Sequence, residues 1–228
     1  MALIKLGGMI AEVRGSIGGT VFARNRGGAY ARNRSIPINP ASPAQIGVRA
    51  ELGNLSNRWS TVLTQAQRDA WDLYADNVPL PNSLGELRNV TGLNMYVRAN
   101  SLLALVGGTQ VDDGPTEFTQ GPTIQPTMTL DAAADTLTVT DLGGYDPATQ
   151  GDLGLLIQQG NPQQAGVTFY KSPFRKISGT VQTDPPNLPT AVALNVPIAA
   201  GQAQFIRTAT VTPDGRVGVP VIQRFLVA

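Results

Sequence analysis

Residues 15–43 constrain this chain most. The tetrapeptide Ala-Arg-Asn-Arg stands there twice, at 23–26 and again at 31–34, each copy behind an aromatic residue, Phe22 or Tyr30. The copies are eight residues apart, and an extended chain repeats its orientation every two residues. If the segment stays extended, Arg24, Asn25 and Arg26 face the same way as Arg32, Asn33 and Arg34. Glycines throughout the stretch, with Pro37, Pro40 and Pro43, oppose a helix before Ser42. Gly27-Gly28 signals a hairpin turn. A lone two-stranded ribbon is marginal in water, so the segment is expected to lie on another surface, a protein first and nucleic acid second.

Charge supports that reading. Residues 1–50 carry seven basic side chains against Glu12, a net +6, and the remainder carries 10 basic and 15 acidic residues, a net −5. A basic arm on a mildly acidic body can bind nucleic acid or the body of a neighbouring copy. The chain has no cysteine and no histidine. That removes thiol chemistry, the commonest general base and zinc sites of Cys and His. The charged fraction is only 14%, with 25 Gly and 17 Pro, which fits a loop-rich β protein. No apolar run reaches membrane-spanning length. The opening Met-Ala-Leu-Ile-Lys does not read as a signal peptide, so synthesis in a cytoplasm is expected.

The expected fold class is α+β: an extended basic N-terminal arm (residues 1–41), a small helical region (42–109), a linker (110–126) and a C-terminal antiparallel β-sandwich of immunoglobulin or fibronectin type (127–228). Ser42-Pro43-Ala44-Gln45 reads as a capped helix start, followed by Val48, Leu52, Leu55, Trp59 and Val62 as one stripe. Thr64-Gln65-Ala66-Gln67 is a second capping box, ahead of a helix with Trp71 and Tyr74. Thr91 caps a third helix, which carries Tyr96 and ends at Gly107-Gly108. Trp59, Trp71, Tyr74 and Tyr96 are assigned to a structural core. Beyond residue 126 the alternation turns to period two, with strands expected at 127–130, 136–140, 153–158, 166–170, 177–181, 191–196, 204–211 and 217–225. Thr212-Pro213-Asp214-Gly215 is a turn.

No catalytic constellation emerges. The glycines of residues 15–28 lack the Gly-Lys-Ser/Thr of a phosphate loop. Asp112-Asp113 and Asp131 with Asp135 lack calcium-loop spacing, so neither metal nor cofactor is expected. The partner-binding candidates are Phe22, Arg24, Asn25, Arg26, Tyr30, Arg32, Asn33 and Arg34. Their guanidinium forks suit carboxylates, phosphates and carbonyls, and Asn25 and Asn33 can bond an exposed backbone edge.

The series Gly-Ser-Ile-Gly-Gly-Thr-Val-Phe-Ala-Arg-Asn-Arg, then Pro-Ile-Asn-Pro-Ala-Ser-Pro-Ala-Gln, then Trp59 with Leu-Thr-Gln-Ala-Gln-Arg-Asp-Ala-Trp at 63–71, resembles proteins encoded in the structural regions of tailed phages and prophages. Gly92-Leu93-Asn94-Met95-Tyr96 and Tyr170-Lys171-Ser172-Pro173-Phe174-Arg175 fit the same pattern. The resemblance implies a non-enzymatic virion structural protein. A capsid decoration or cement role is the first expectation; a neck or tail component, or a DNA-contacting virion protein, is the alternative. Its partners would be other virion proteins, copies of itself and, through the arm, nucleic acid, but no membrane.

Overall fold

The computed structural model describes residues 2–5, 7–8, 12–35, 39–82, 84–183, 188 and 191–227; Pro37 lies outside them. The chain is α+β with antiparallel sheets. The first four strands, β1 (Ala2–Leu3), β2 (Gly15–Ile17), β3 (Thr20–Asn25) and β4 (Gly28–Asn33), form a sheet of their own, in the order β1-β4-β3-β2.

Three helices follow. Helix α1 (Pro43–Thr61) starts behind Ser42, whose side chain accepts from the Gln45 N–H. Helix α2 (Gln65–Asn77) starts behind Thr64 with both halves of the capping box formed by Gln67. The short ribbon of β5 (Leu80–Pro81) and β6 (Leu87–Arg88) leads to α3 (Gly92–Val106), capped by Thr91 and closed by Gly107 in the left-handed region at φ 77°. The stripe along α1 divides. Leu55 is buried and Trp59 half-buried against α3, while Val48, Leu52 and Val62 stay exposed.

The aromatic residues form one cluster around α3. Trp71 and Tyr96 are fully buried and Tyr74 nearly so. Tyr96 takes Trp59 at 5.5 Å and Trp71 at 5.7 Å between ring centroids, so the two tryptophans meet through it. Each large side chain removed from water here contributes roughly 1.5–3 kcal/mol.

The C-terminal half supplies β7 (Thr127–Asp131), β8 (Thr136–Asp141), the single turn α4 (Pro147–Gln150), β9 (Leu153–Gly160), β10 (Gln163–Gln164), β11 (Phe174–Gln182), β12 (Val192–Ala193), β13 (Gln202–Val211) and β14 (Val221–Leu226). Strand β9 lies between β11 and β13, β14 covers the other edge of β13, and β12-β8-β7 make a second sheet. Leu153, Leu155 and Ile157 of β9 point into one core with Met128, Leu137 and Val139 of the second sheet. Leu156, on the opposite face, joins the helical core with Ala209 and Val211 of β13. The layers are therefore helices, central sheet and second sheet, and β9 is apolar on both faces because both are covered. Gly179 makes the close helix contact possible, since a β-carbon there would strike the Leu105 carbonyl oxygen of α3.

Two expectations change. Residues 166–170 do not form a strand: the Arg224 guanidinium donates to the Ala165 and Val167 carbonyl oxygens, so a side chain stands where a neighbouring strand would. Residues 110–126 do not act as a free linker. The Trp71 Nε1–H donates to the Asp112 carbonyl oxygen at 2.9 Å, the Tyr74 hydroxyl to that of Thr119 at 3.0 Å, and the Thr210 hydroxyl to that of Pro122. The segment fastens helices to sheet, and the helical and β regions share a core.

At its margin, the Asp112 carboxylate accepts two hydrogen bonds from Arg58, at 2.8 and 2.5 Å, and one from the Tyr96 hydroxyl. The Arg58 hydrogen bond holds the Asp112 carboxyl below its ordinary range. A depressed carboxyl stabilises the fold above its unfolded pKa of about 3.9, and that contribution disappears as pH falls through the lower folded value. Asp112→Asn is therefore expected to melt below wild type at neutral pH. Thermal melts across acid pH should show the gap closing as pH drops below about 4; a gap independent of pH would contradict this assignment.

Candidate functional site

The N-terminal sheet is built from the doubled motif. The hairpin joins Asn25 to Gly28 through Arg26-Gly27, one residue earlier than Gly27-Gly28. The Asn25 Oδ1 atom accepts from the Gly27 N–H at 2.8 Å and ties the turn, and Gly28 takes φ 107°. Gly27 lies against the Arg88 guanidinium of β6, where a β-carbon has no room. Lys5 makes an ion pair with Glu86. These contacts place the sheet beside the β5–β6 ribbon, yet none of its residues enters any of the three apolar cores.

The turn sorts the motif. Directly paired residues share a face, and the register sets Phe22 opposite Ala31, Arg24 opposite Ala29, Ala23 opposite Tyr30 and Val21 opposite Arg32. Phe22, Arg24 and Asn33 therefore share one face with Ile17 of β2, while Tyr30, Arg32, Asn25 and Val21 share the other. The two copies do not present matching side chains to one face, as a straight strand would. A two-residue turn folds one copy onto the other in odd register.

Phe22 and Tyr30 are half-buried and the four arginines exposed. Among the described residues, Arg24, Arg26, Arg32 and Arg34 have no ion-pair or side-chain hydrogen-bond partner. Asn25 is occupied by its own turn, and Asn33 is exposed. Among the described residues the sheet edges are open where the motif lies. Strand β2 reaches only as far as Phe22, and no described residue pairs with the outer edge of residues 23–25. Strand β1 reaches only as far as Ala31, and no described residue pairs with the outer edge of residues 32–33. Each copy thus offers an unpaired backbone edge beside an arginine.

Other chemistry finds little support. Among the described residues no group of three or more His, Cys, Asp or Glu could hold a metal, and no helix is long and apolar enough to cross a membrane. A cavity of about 390 Å³ between the end of α3 and the central sheet is lined by Leu103, Val111, Val181, Val211 and the single charged residue Asp152, with Gly154 at its wall. It presents no paired acid and base. No protein-family model, curated protein or solved structure matches the chain.

Residue-by-residue reading missed one charged surface. Asp69, Asp72 and Asp76 of α2 share its outer face, opposite Trp71, Tyr74 and Ala75. Their spacing of three and four marks one helical stripe in the sequence.

Proposed function

We propose that this chain is a non-enzymatic virion structural protein of the tailed-phage kind, a capsid decoration or cement protein that docks on neighbouring subunits through its N-terminal sheet. The observation that carries the reading is a basic sheet outside every core, with four arginines unpaired and two edges open among the described residues. Such a sheet adds little to the stability of its own chain. It offers what a partner surface would use: guanidinium forks for carboxylates and backbone edges for strand addition. The tailed-phage resemblance of residues 15–71 supplies the setting, with synthesis in the host cytoplasm and residence in the virion. The two antiparallel sheets with their shared core support reading the C-terminal half as a sandwich of immunoglobulin or fibronectin type, the part displayed or set in a lattice.

The test is substitution of Arg24, Arg26, Arg32 and Arg34 together by alanine. All four are exposed, so the stability of the body should move by no more than about 0.5 kcal/mol. Incorporation into particles, measured by quantitative mass spectrometry of purified virions, should fall severalfold. Wild-type incorporation would overturn the docking role.

A further inference from the structure

The unpaired arginines have a complement elsewhere on the same chain. The outer face of α2 carries Asp69, Asp72 and Asp76 within about one quarter of the helix circumference, with Leu73 at their side. Leu73 is 53% exposed. Asp69 accepts from the Gln65 side chain and Asp72 from the Gly92 N–H, but among the described residues none of the three is in an ion pair. Like charges at these spacings weaken a helix unless something neutralises them.

The N-terminal sheet offers the opposite pattern. One face carries Phe22 and Arg24, with Ile17 74% exposed at the β2 edge and Arg26 in the adjoining turn. Apolar and cationic groups alternate on the sheet; apolar and anionic groups alternate on the helix. Arg24 and Arg26 stand two residues apart, about 7 Å along an extended chain, and Asp69 and Asp76 stand seven residues apart, about 10.5 Å along the helix, a difference that the long guanidinium side chains span. Two guanidinium forks can therefore meet two carboxylates while Leu73 covers Ile17 and Phe22. Among the described residues no ion pair joins these groups within one chain.

We propose that the Ile17–Phe22–Arg24 face of one copy docks on the Asp69–Leu73–Asp76 face of α2 in a second copy. The occupant follows from charge: residues 1–50 carry +6 and the remainder −5, so one copy supplies what the next requires. The two patches differ, so the contact runs head to tail into a ring or an open array, or is made twice across a two-fold axis. This rests on the docking reading above and names the partner surface.

The test uses the purified full chain in sedimentation velocity at low and high ionic strength. Wild type should self-associate reversibly and dissociate with salt, because exposed pairs are screened within a Debye length of about 10 Å at 0.1 M. Arg24→Ala/Arg26→Ala should weaken association at least about tenfold, and Asp69→Asn/Asp76→Asn equally. Mixing the two variants decides the geometry. Only one pairing survives, the intact sheet of the second with the intact helix of the first, so the mixture should form a 1:1 dimer and nothing larger. A wild type that stays monomeric, variants that associate like wild type, or a mixture with no dimer would each overturn the proposal. Virion incorporation separates the two readings. If Arg24→Ala/Arg26→Ala is lost from particles while Asp69→Asn/Asp76→Asn incorporates as wild type, the sheet docks on a different protein and self-docking falls. If the variant with all four arginines replaced also incorporates as wild type, the docking reading falls with it.

Discussion

Trp71→Ala is expected to lower the stability of the chain by about 3–5 kcal/mol, the range for removing a fully buried large aromatic side chain. The indole is fully buried. It meets Tyr74 edge-on at 6.0 Å and Tyr96 edge-on at 5.7 Å. Its N–H serves the Asp112 carbonyl oxygen, and its ring lies under Gly215, where a β-carbon would fall 2.9 Å from Cη2. Truncation leaves a cavity at the junction of α2, α3, the 110–126 segment and the turn after β13, and strands a carbonyl. At about 2–4 °C per kcal/mol for a chain of this size, the midpoint should drop by roughly 6–20 °C. Trp71→Phe keeps most of the packing and loses the N–H, so it should fall between the two. A truncation that melts within a degree or two of wild type would mean that the helical layer is not coupled to the sheet through this residue.

The same residue shows what was legible in advance. Trp71 and Tyr74 sit at helical spacing behind an explicit capping box, and local chemistry of that kind survives folding because nothing distant competes with it. Strands β7, β8 and β13 were readable for the same reason: alternation and turn residues are local. What could not be read was long-range. Nothing in residues 165–170 announces that Arg224, more than fifty positions away, takes the Ala165 and Val167 carbonyls. Nothing in residues 110–126, rich in Asp, Gly and Pro, announces that Trp71, Tyr74 and Thr210 need their carbonyl oxygens. The doubled motif failed differently. Its composition indicated a surface element, but the facing of each arginine depends on the parity of one turn. Changing the length of that turn by a single residue exchanges the faces of every side chain on one strand.

A chain beginning at Ser42 is expected to fold and melt like the full-length protein, within about 0.5 kcal/mol, while losing docking altogether. The body keeps all three cores, since no residue of β1 to β4 enters them. The truncation removes the exposed Lys5–Glu86 pair and the packing of Gly27 on Arg88, and surface ion pairs contribute little. Hydrogen exchange on the full chain should report the same separation. Amides of residues 15–33 should exchange orders of magnitude faster than those of β9, whose residues are buried on both faces. Adding partner, whether a second copy at high concentration or assembled particles, should slow residues 15–33 and leave β9 unchanged. A segment outside every core can be ordered by what it binds, and the entropy of ordering is then offset only in the assembled state. Loss of several kcal/mol on truncation, or exchange of residues 15–33 as slow as that of β9 in the free chain, would show instead that the sheet belongs to the fold and that its arginines face solvent for solubility alone.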